Sequence, residues 1–432
     1  MPAIAFITLG CKANQYDTEG LAELFRGRGF NVVEPGGPAD VLIINSCAVT
    51  ARSEAKSRQY ARRAKRLHPE AVVALVGCYP QVSPEGAGAV GVDILAGTAD
   101  RAGLVDLVER ALADRKSGRA APLSHIGVHG PFEELAITGF AGRTRAFVKV
   151  QDGCDQFCAY CVIPLARGGV RSREAGAVLA EVEGLVERGV PEVVLTGIHL
   201  GAYGRDRPGS GLAGLVQAVA GVSGLRRLRL SSLEAIELTA DLLAVMAEGA
   251  PVCPHLHLPL QSGSAGVLRR MRRPYTPAGY ARRLASARRA VPGLAVSTDV
   301  IAGFPGETEA EHADSLAFVR DQGFSRLHVF PFSRRPGTPA ADMPGQLQRA
   351  VREERARDFI ALGRELAAAY HRTLLGTASE VLVEQVSGGN LEGMSRDYVR
   401  VICRGEAASG DTVRALIIAA EDWGVSGTLL IT

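Results

Sequence analysis

VKVQDGCDQFCAYCVIPLARG, residues 148–168, sets Cys154, Cys158 and Cys161 at CxxxCxxC spacing. A [4Fe–4S] cluster has four irons, each needing one external ligand, so three thiolates leave one iron open to chelate a small molecule. Zinc sites more often pair cysteines as CxxC units, and a structural zinc loop or three core thiols are the competing readings. The preceding residues 147–150 read as a β-strand, which puts the triplet on a loop at a strand's C-terminal end, where α/β barrels carry their chemistry. Around it, strand-like and Ala-rich helical segments alternate over residues 144–371. VVLTGIHL (193–200), LRRLRLSSLE (225–234), HLHLPLQSG (255–263), LAVSTDVIAGF (294–304) and SRLHVFPFS (325–333) are the strand-like runs. The pattern predicts an α/β chain with a central partial (βα) barrel.

The first third repeats one unit. AIAFITLG (3–10) reads as a strand, followed by Cys11 and a helix. VLIINS (41–46) reads as a strand, followed by Cys47 and a helix over 53–67. AVVALVG (71–77) reads as a strand, followed by Cys78 and a Tyr-Pro turn. Strands alternating with helices predict a doubly wound parallel sheet, whose ligands sit outside the carboxyl ends of the strands. A single cysteine after a strand is usually a small core residue. Three in the same position should meet at one sheet edge and hold a second [4Fe–4S] cluster. The expected organisation is an N-terminal domain over 1–115, a Gly-, Pro- and His-rich linker over 116–143, the barrel over 144–371 and a small β-barrel over 373–432.

Composition limits the alternatives. The chain has 432 residues, 47% of them hydrophobic, and a formal charge of +3, so no global field marks it as nucleic-acid binding. Arginine carries nearly all the positive charge, 44 residues against 5 lysines. No apolar run is long enough to span a bilayer, and MPAIAFITLG lacks a signal peptide's basic start and cleavage site. The expected location is the cytoplasm, where 8 cysteines are better suited to metal or cluster binding than to disulfides. Cys253 and Cys403 have no triplet partners and read as structural thiols.

LGCKANQYDTE (9–19), NSCAVT (45–50) and VGCYPQ (76–81), followed by the CxxxCxxC loop, resemble the methylthiotransferases along the whole chain. These are radical S-adenosylmethionine (SAM) enzymes with an N-terminal cluster domain, a radical SAM barrel and a C-terminal TRAM-type β-domain. The resemblance implies two [4Fe–4S] clusters and SAM as cofactors, with Cys11, Cys47 and Cys78 on the auxiliary cluster and Cys154, Cys158 and Cys161 on the SAM-binding one. It implies that one SAM methylates a sulfur held at the auxiliary cluster and a second is split to a radical that attacks the substrate. GCKANQYDTE, PLARGGVRSR (164–173) and LEGMSRDYVRV (391–401) are similar to the branch acting on N6-threonylcarbamoyladenosine beside the tRNA anticodon. The branches acting on isopentenyl-adenosine or on a ribosomal-protein aspartate typically read GCQMN or GCPKN, and remain the nearest alternatives. A non-catalytic iron–sulfur RNA-binding protein is the alternative from another class. The implied partners are the tRNA anticodon loop and an electron donor such as a flavodoxin or ferredoxin, with no membrane; the sulfur donor stays open.

Polar residues at the barrel strand ends are candidates for the SAM site. Tyr160 resembles the family's adenine-contacting aromatic. Gly197 lies where a strand edge meets the SAM amino group, and Glu234 and Gln261 suit ribose hydroxyls or the methionine carboxylate. Ser231, Thr298 and Asp299 complete the polar rim, and IAGFPGET (301–308) offers Gly303 and Gly306 for close approach to a flat ring. Thr196, His199, Ser232 and Ser262 share these strand ends. His255 and His257 alternate on one strand, as ligands, proton donors or hydrogen-bonding groups within the barrel. Two arginine-rich runs are candidate phosphate grips. One carries Arg52, Lys56, Arg58, Arg62, Arg63, Lys65 and Arg66; the other carries Arg269, Arg270, Arg272, Arg273, Arg282, Arg283, Arg288 and Arg289. From Thr373 onward four arginines face eight acids, a charge of −4, so RNA contact there needs a local face such as Arg396, Tyr398 and Arg400. Trp423 reads as core.

Overall fold

The computed structural model describes residues 1–119, 122–135, 137–139, 143–209 and 211–430. Its first unit is a parallel sheet of β1 (Ala3–Thr8), β2 (Asn31–Val33), β3 (Val41–Ser46), β4 (Val72–Gly77), β5 (Ile94–Ala96) and β6 (Leu123–His125), ordered β2-β1-β3-β4-β5-β6. β3 and β4 are buried at every position, as a sheet covered on both faces requires. On one face Ile43, Val72 and Ala74 pack with Leu21 and Phe25 of α1 (Lys12–Gly27). On the other, Ile44, Val73 and Leu75 pack with Ala61 and Ala64 of α2 (Ala51–Leu67). The Thr50 hydroxyl caps α2 by accepting from the Ser53 N–H at 3.1 Å. After β4 the chain forms a short helix, α3 (Cys78–Val82), where the sequence suggests a turn. Pro80 falls in its first turn, where a backbone N–H has no helical acceptor.

The described residues of 116–143 are packed rather than free. β6 extends the first sheet, and Leu135 and Ile137 are buried in the core of the next unit. Glu133 pairs with Arg101 and Glu134 with Arg173. These anchoring residues are too sparse among Gly, Pro and His for any periodicity to show.

The second unit is an open barrel of β7 (Arg145–Asp152), β8 (Arg171–Ser172), β9 (Glu192–Gly197), β10 (Arg227–Leu230), β11 (His255–His257), β12 (Ala295–Ala302) and β13 (Arg326–Pro331). Its two sheets, β10-β9-β7-β8 and β11-β12-β13, are joined by bridges at Leu228–Val252 and Ser232–His257. All pairs are parallel except β7 with β8. α1 lies against β7 and β9, and its Tyr16 is buried in the barrel core. The first unit is therefore packed onto the barrel.

A helix over Arg349–Thr373 leads into a closed barrel of β14 (Ala378–Ser387), β15 (Asn390–Ser395), β16 (Arg400–Arg404), β17 (Thr412–Ala420) and β18 (Val425–Leu429). β15, NLEGMS, has no apolar alternation and is absent from the sequence reading. A Cβ on Gly393 would stand 2.0 Å from the Leu382 carbonyl oxygen, so this crowded crossing takes only glycine. Two arginines of β10 moor this unit. Arg227 donates to Glu380 Oε1 at 2.8 Å and to the Met394 carbonyl at 2.9 Å. Arg229 donates to the Ser395 and Arg396 carbonyls at 2.6 and 2.8 Å. Trp423 is not core: it sits before β18, 41% exposed, with the Arg400 guanidinium 5.3 Å from its ring centre. Among the described residues no helix is long and apolar enough to cross a membrane.

Candidate active site

The first sheet's carboxyl edge gathers Cys11, Cys47 and Cys78. Cys47 follows β3 directly, Cys78 follows β4, and Cys11 is reached from β1 through Leu9 and Gly10. Asn14 Oδ1 lies 4.0 Å from both the Cys11 and Cys78 sulfurs. Gly10 has φ +106°, and a Cβ there would stand 2.9 Å from Cys47 Cβ and 3.2 Å from its sulfur. That turn keeps space open beside the thiols. Burial pushes the Cys47 thiol up to about 12, with Cys78 adding to the shift. Such thiols stay protonated until a cation compensates the thiolate, which suits metal ligands better than free nucleophiles.

The second triplet sits on the loop after β7. Gly153, φ +74°, lets this loop cross residues 168–169; a Cβ there would stand 1.8 Å from the Gly169 oxygen. Burial pushes the Cys161 thiol up to about 12, opposed by the Ile163 N–H. The Cys158 sulfur accepts from an Arg273 N–H at 3.1 Å, and Cys154 lies 3.6 Å from His199 Nδ1. Three converging thiols, two of them beside charge-compensating groups, fit a cluster with one iron left for a ligand.

A buried charge network links the two triplets. Arg167 donates to Asn14 Oδ1 at 2.6 Å and Asp17 Oδ2 at 2.9 Å, and with its other nitrogen to both Asp152 oxygens at 3.0 and 3.1 Å. It also hydrogen-bonds the Cys78 thiol, countering the upward push of burial. Lys149 and Arg101 pair with Asp17 as well. Burial would raise the Asp17 carboxyl, but Arg101, Lys149 and Arg167 together bring it down to about 2.

Two cavities open from these loops. One of 190 Å³ lies beside Cys161, lined by Tyr160, Gln261, Asp299 and Ile301 with Val49 and Thr50 of the first unit. The other, 600 Å³, runs from Cys11 and Lys12 across Thr196, Gly197, Ser231 and Ser232 down to His255, Ser297 and Tyr398. Asp299 and Phe330 line both. Asp299 Oδ1 is 3.2 Å from His257 Nε2 and 3.2 Å from His328 Nδ1, whose rings stack at 5.2 Å. Burial would raise this carboxyl, and the two imidazoles hold it below its usual range. The three side chains could ligate one cation. His255 and His257 also share Ser297 Oγ, at 3.1 and 2.9 Å, and burial keeps His255 neutral.

Other sequence candidates lie elsewhere. Glu234 is committed to Arg273 and caps the 3₁₀ turn Ala235–Glu237, its own N–H donating to Glu237 Oε2. The Thr298 hydroxyl bonds the backbone of Leu258 and Leu260. Gly303 and Gly306 face protein: a Cβ on Gly303 would stand 2.5 Å from Arg352 Cγ, and the Gly306 N–H donates to Gly345. The close approach these glycines allow is to their own chain, and Ile301 is the residue of that motif in the cavity wall.

The arginine runs also separate. On α2, Arg62, Arg63 and Arg66 are exposed along a groove with Arg58, while Lys65 pairs with Asp93. The second run is divided: Arg270 binds Glu311, Arg273 is buried at Cys158, and Arg288 donates to the Gln322 and Gly323 carbonyls, while Arg269, Arg272, Arg282 and Arg289 are exposed. Arg396, Tyr398 and Arg400 do not form a free face. Arg396 donates to the Val252 carbonyl at 2.8 Å, Tyr398 enters the barrel under Arg229, and Arg400 pairs with Glu392. Arg167, Arg273, His328 and Lys12 are the site residues missed. Arg167 sits inside PLARGG and Lys12 in GCKANQ, both already conspicuous, but nothing in the sequence separates Arg273 from its neighbours.

Residues 3–97 match the family described as Uncharacterized protein family UPF0004, and residues 148–319 match the Radical SAM superfamily. The chain is 41% identical to the threonylcarbamoyladenosine tRNA methylthiotransferase MtaB of Bacillus subtilis, over 97% of this chain and 94% of that protein. It is 36% identical to the protein of the same name in Thermotoga maritima, over 93% and 91%. It is also 36% identical to the tRNA-2-methylthio-N(6)-dimethylallyladenosine synthase of Moorella thermoacetica, over 98% and 97%. Among solved structures it is similar to the radical SAM methyltransferase TsrM from Kitasatospora setae with cobalamin and a [4Fe-4S] cluster bound, at TM-score 0.57 and 14% identity over 79% of this chain and 77% of that one. It is likewise similar to the radical enzyme OxsB, at TM-score 0.56 and 12% identity over 85% and 56%. At these identities the likeness concerns the fold alone.

Proposed function

The chain belongs to the radical SAM methylthiotransferases, and we propose that it adds a methylthio group to carbon 2 of N6-threonylcarbamoyladenosine next to the anticodon of tRNA. The observation that carries this reading is that the two thiol triplets open on adjoining cavities: Cys11 lines the larger, Cys161 the smaller, and Asp299 and Phe330 line both. When bound, SAM and two [4Fe–4S] clusters supply radical and sulfur chemistry to a C–H bond that is neither acidic nor activated.

The chain's own residues bind and orient. Cys154, Cys158 and Cys161 would hold the SAM-binding cluster, and Cys11, Cys47 and Cys78 the auxiliary one. Tyr160, Gln261 and Ile301 form the wall suited to the adenosine of SAM, and Gly197 and Ser231 face the substrate side. Arg273 and Arg167 offset thiolate charge from the protein side. A substrate base must leave its stack to enter, which costs least in a single-stranded anticodon loop. The exposed arginines of α2 suit phosphates of the RNA outside the cavity: the helix starts just after Val49 and Thr50 of the cavity wall, and Arg62, Arg63 and Arg66 lie about 18 to 24 Å further along it. We assign residues 1–125 to the auxiliary-cluster domain, 145–373 to the radical SAM domain and 378–430 to the TRAM-like domain, acting in the cytoplasm with a flavodoxin- or ferredoxin-type reductant.

The support for the threonylcarbamoyl substrate is the GCKANQYDTE motif and the 41% identity to a protein named for it. The test is to incubate anaerobically reconstituted enzyme, SAM and reductant with anticodon stem-loops carrying either threonylcarbamoyl- or isopentenyl-adenosine. Mass spectrometry should find a methylthio product from the first alone. Product from the second alone would transfer the assignment to the other branch.

A further inference from the structure

The larger cavity holds more positive charge than its neighbours neutralise. Lys12, Arg229 and Arg326 line it, against one carboxylate, Asp299, which His257 and His328 already share. Arg229 is fully engaged. It donates to Glu192 and to two carbonyls of the terminal unit, and stacks 4.7 Å over the Tyr398 ring. Lys12 and Arg326 differ from it. Among the described residues neither has a hydrogen-bond or ion-pair partner; Lys12 Nζ lies 5.9 Å from the centre of the Phe147 ring, with Tyr398 and Glu192 near enough to act on its charge without pairing with it. Glu192 faces the same region but is held by Arg145, Arg227 and Arg229.

Lys12 is half-buried, and an ammonium there without a partner is costly unless a ligand supplies the anion, whereas Arg326 is exposed at the cavity rim and stays solvated until a ligand arrives. An isopentenyl group is apolar and supplies none. A threonylcarbamoyl group carries a carboxylate. Lys12 is also the first residue of a 16-residue helix and adjoins Cys11, so an anion held there gains from the helix N-terminus and is fixed relative to the first triplet. Resting on the substrate reading above, we propose that Lys12, with Arg326, binds the threonylcarbamoyl carboxylate and so selects this nucleoside.

The test compares anticodon stem-loops carrying the free acid, its methyl ester or isopentenyl-adenosine, using reconstituted holoenzyme. Binding is read by fluorescence anisotropy and conversion by mass spectrometry. Wild-type enzyme should bind the acid about tenfold to a hundredfold more tightly than the ester, as charge-assisted hydrogen bonds imply. Lys12→Met and Arg326→Met should each remove most of that preference without weakening ester binding, and Lys12→Arg should retain it. Iron content and visible absorption report whether the Lys12 variants keep their clusters. If Lys12→Met loses iron, the wild-type acid-to-ester ratio and Arg326→Met still decide. Equal binding and conversion of acid and ester by wild type overturns this inference while leaving the substrate reading intact. Conversion of the isopentenyl RNA alone overturns both.

Discussion

Cys154, Cys158 and Cys161 occupy one loop of eight residues, whereas Cys11, Cys47 and Cys78 come from three strand ends spread over 68 residues. The first of these sets needs only its loop turned correctly by Gly153 and backed by Arg273. The other needs the whole parallel sheet in register, plus an arginine reached from outside it: Arg167 stands six residues beyond Cys161 yet bonds Asn14, Asp17 and Cys78. The local triplet thus helps hold the distributed one, through the short helix Ile163–Arg167 that packs on α3. A cluster site gathered from afar depends on global stability, and a cluster site on a loop depends on local geometry.

The largest expected effect separates the two triplets by chemistry. Cys154→Ala should abolish both SAM cleavage and product, whereas Cys47→Ala should abolish product but still cleave SAM. Each should lower iron from about eight to about four per chain. Equal loss of SAM cleavage in both would mean that the triplets are not independent. Next, Arg167→Met leaves Asp17 and Asp152 buried with fewer cations, and should cost about 3–5 kcal/mol in denaturant titration. It should also deplete iron at the first triplet more than at the second, read by quantifying iron in a Cys154→Ala background.

The smallest effect is in pH dependence, and it contrasts two buried carboxyls at the junction of the first two units. Burial brings Glu181 up to about 6 despite Arg173 and Tyr16. A raised folded pKa contributes stability that is full below the unfolded value, about 4.3, and is lost as pH rises through 6. Asp17, lowered to about 2, contributes stability that is full above about 3.9 and is lost only as pH falls toward 2. Between pH 7 and 5 the protein should therefore gain stability from Glu181 and nothing from Asp17. Urea titrations should show Glu181→Gln flattening that rise, while Asp17→Asn lowers stability by a constant amount across the window.

Both triplets were legible in the sequence, by different signals. CxxxCxxC is a local spacing, while the other set is visible only because strand, cysteine and helix recur three times. All the strands of the central barrel but the two-residue β8 followed from apolar runs. What stayed hidden has physical causes. Arg273 lies among seven other charged residues of one run and only its fold-level position buries it. Tyr398 reads as part of a local RNA-contacting face, but Arg145 and Arg229 hold it in the radical SAM barrel with φ +69°. Gly303 and Gly306 read as ligand contacts because a glycine's freedom shows in sequence while the object it approaches does not.

The central claim is that two cysteine triplets act on one tRNA base from two adjoining cavities that meet at Asp299 and Phe330. Its most direct test is nucleoside mass spectrometry of tRNA from cells lacking this gene and from cells given back wild-type, Cys47→Ala or Cys154→Ala forms. The account predicts that 2-methylthio-threonylcarbamoyladenosine disappears with the gene, returns with wild type and returns with neither variant. Its return with either variant, or no change on loss of the gene, would contradict the account.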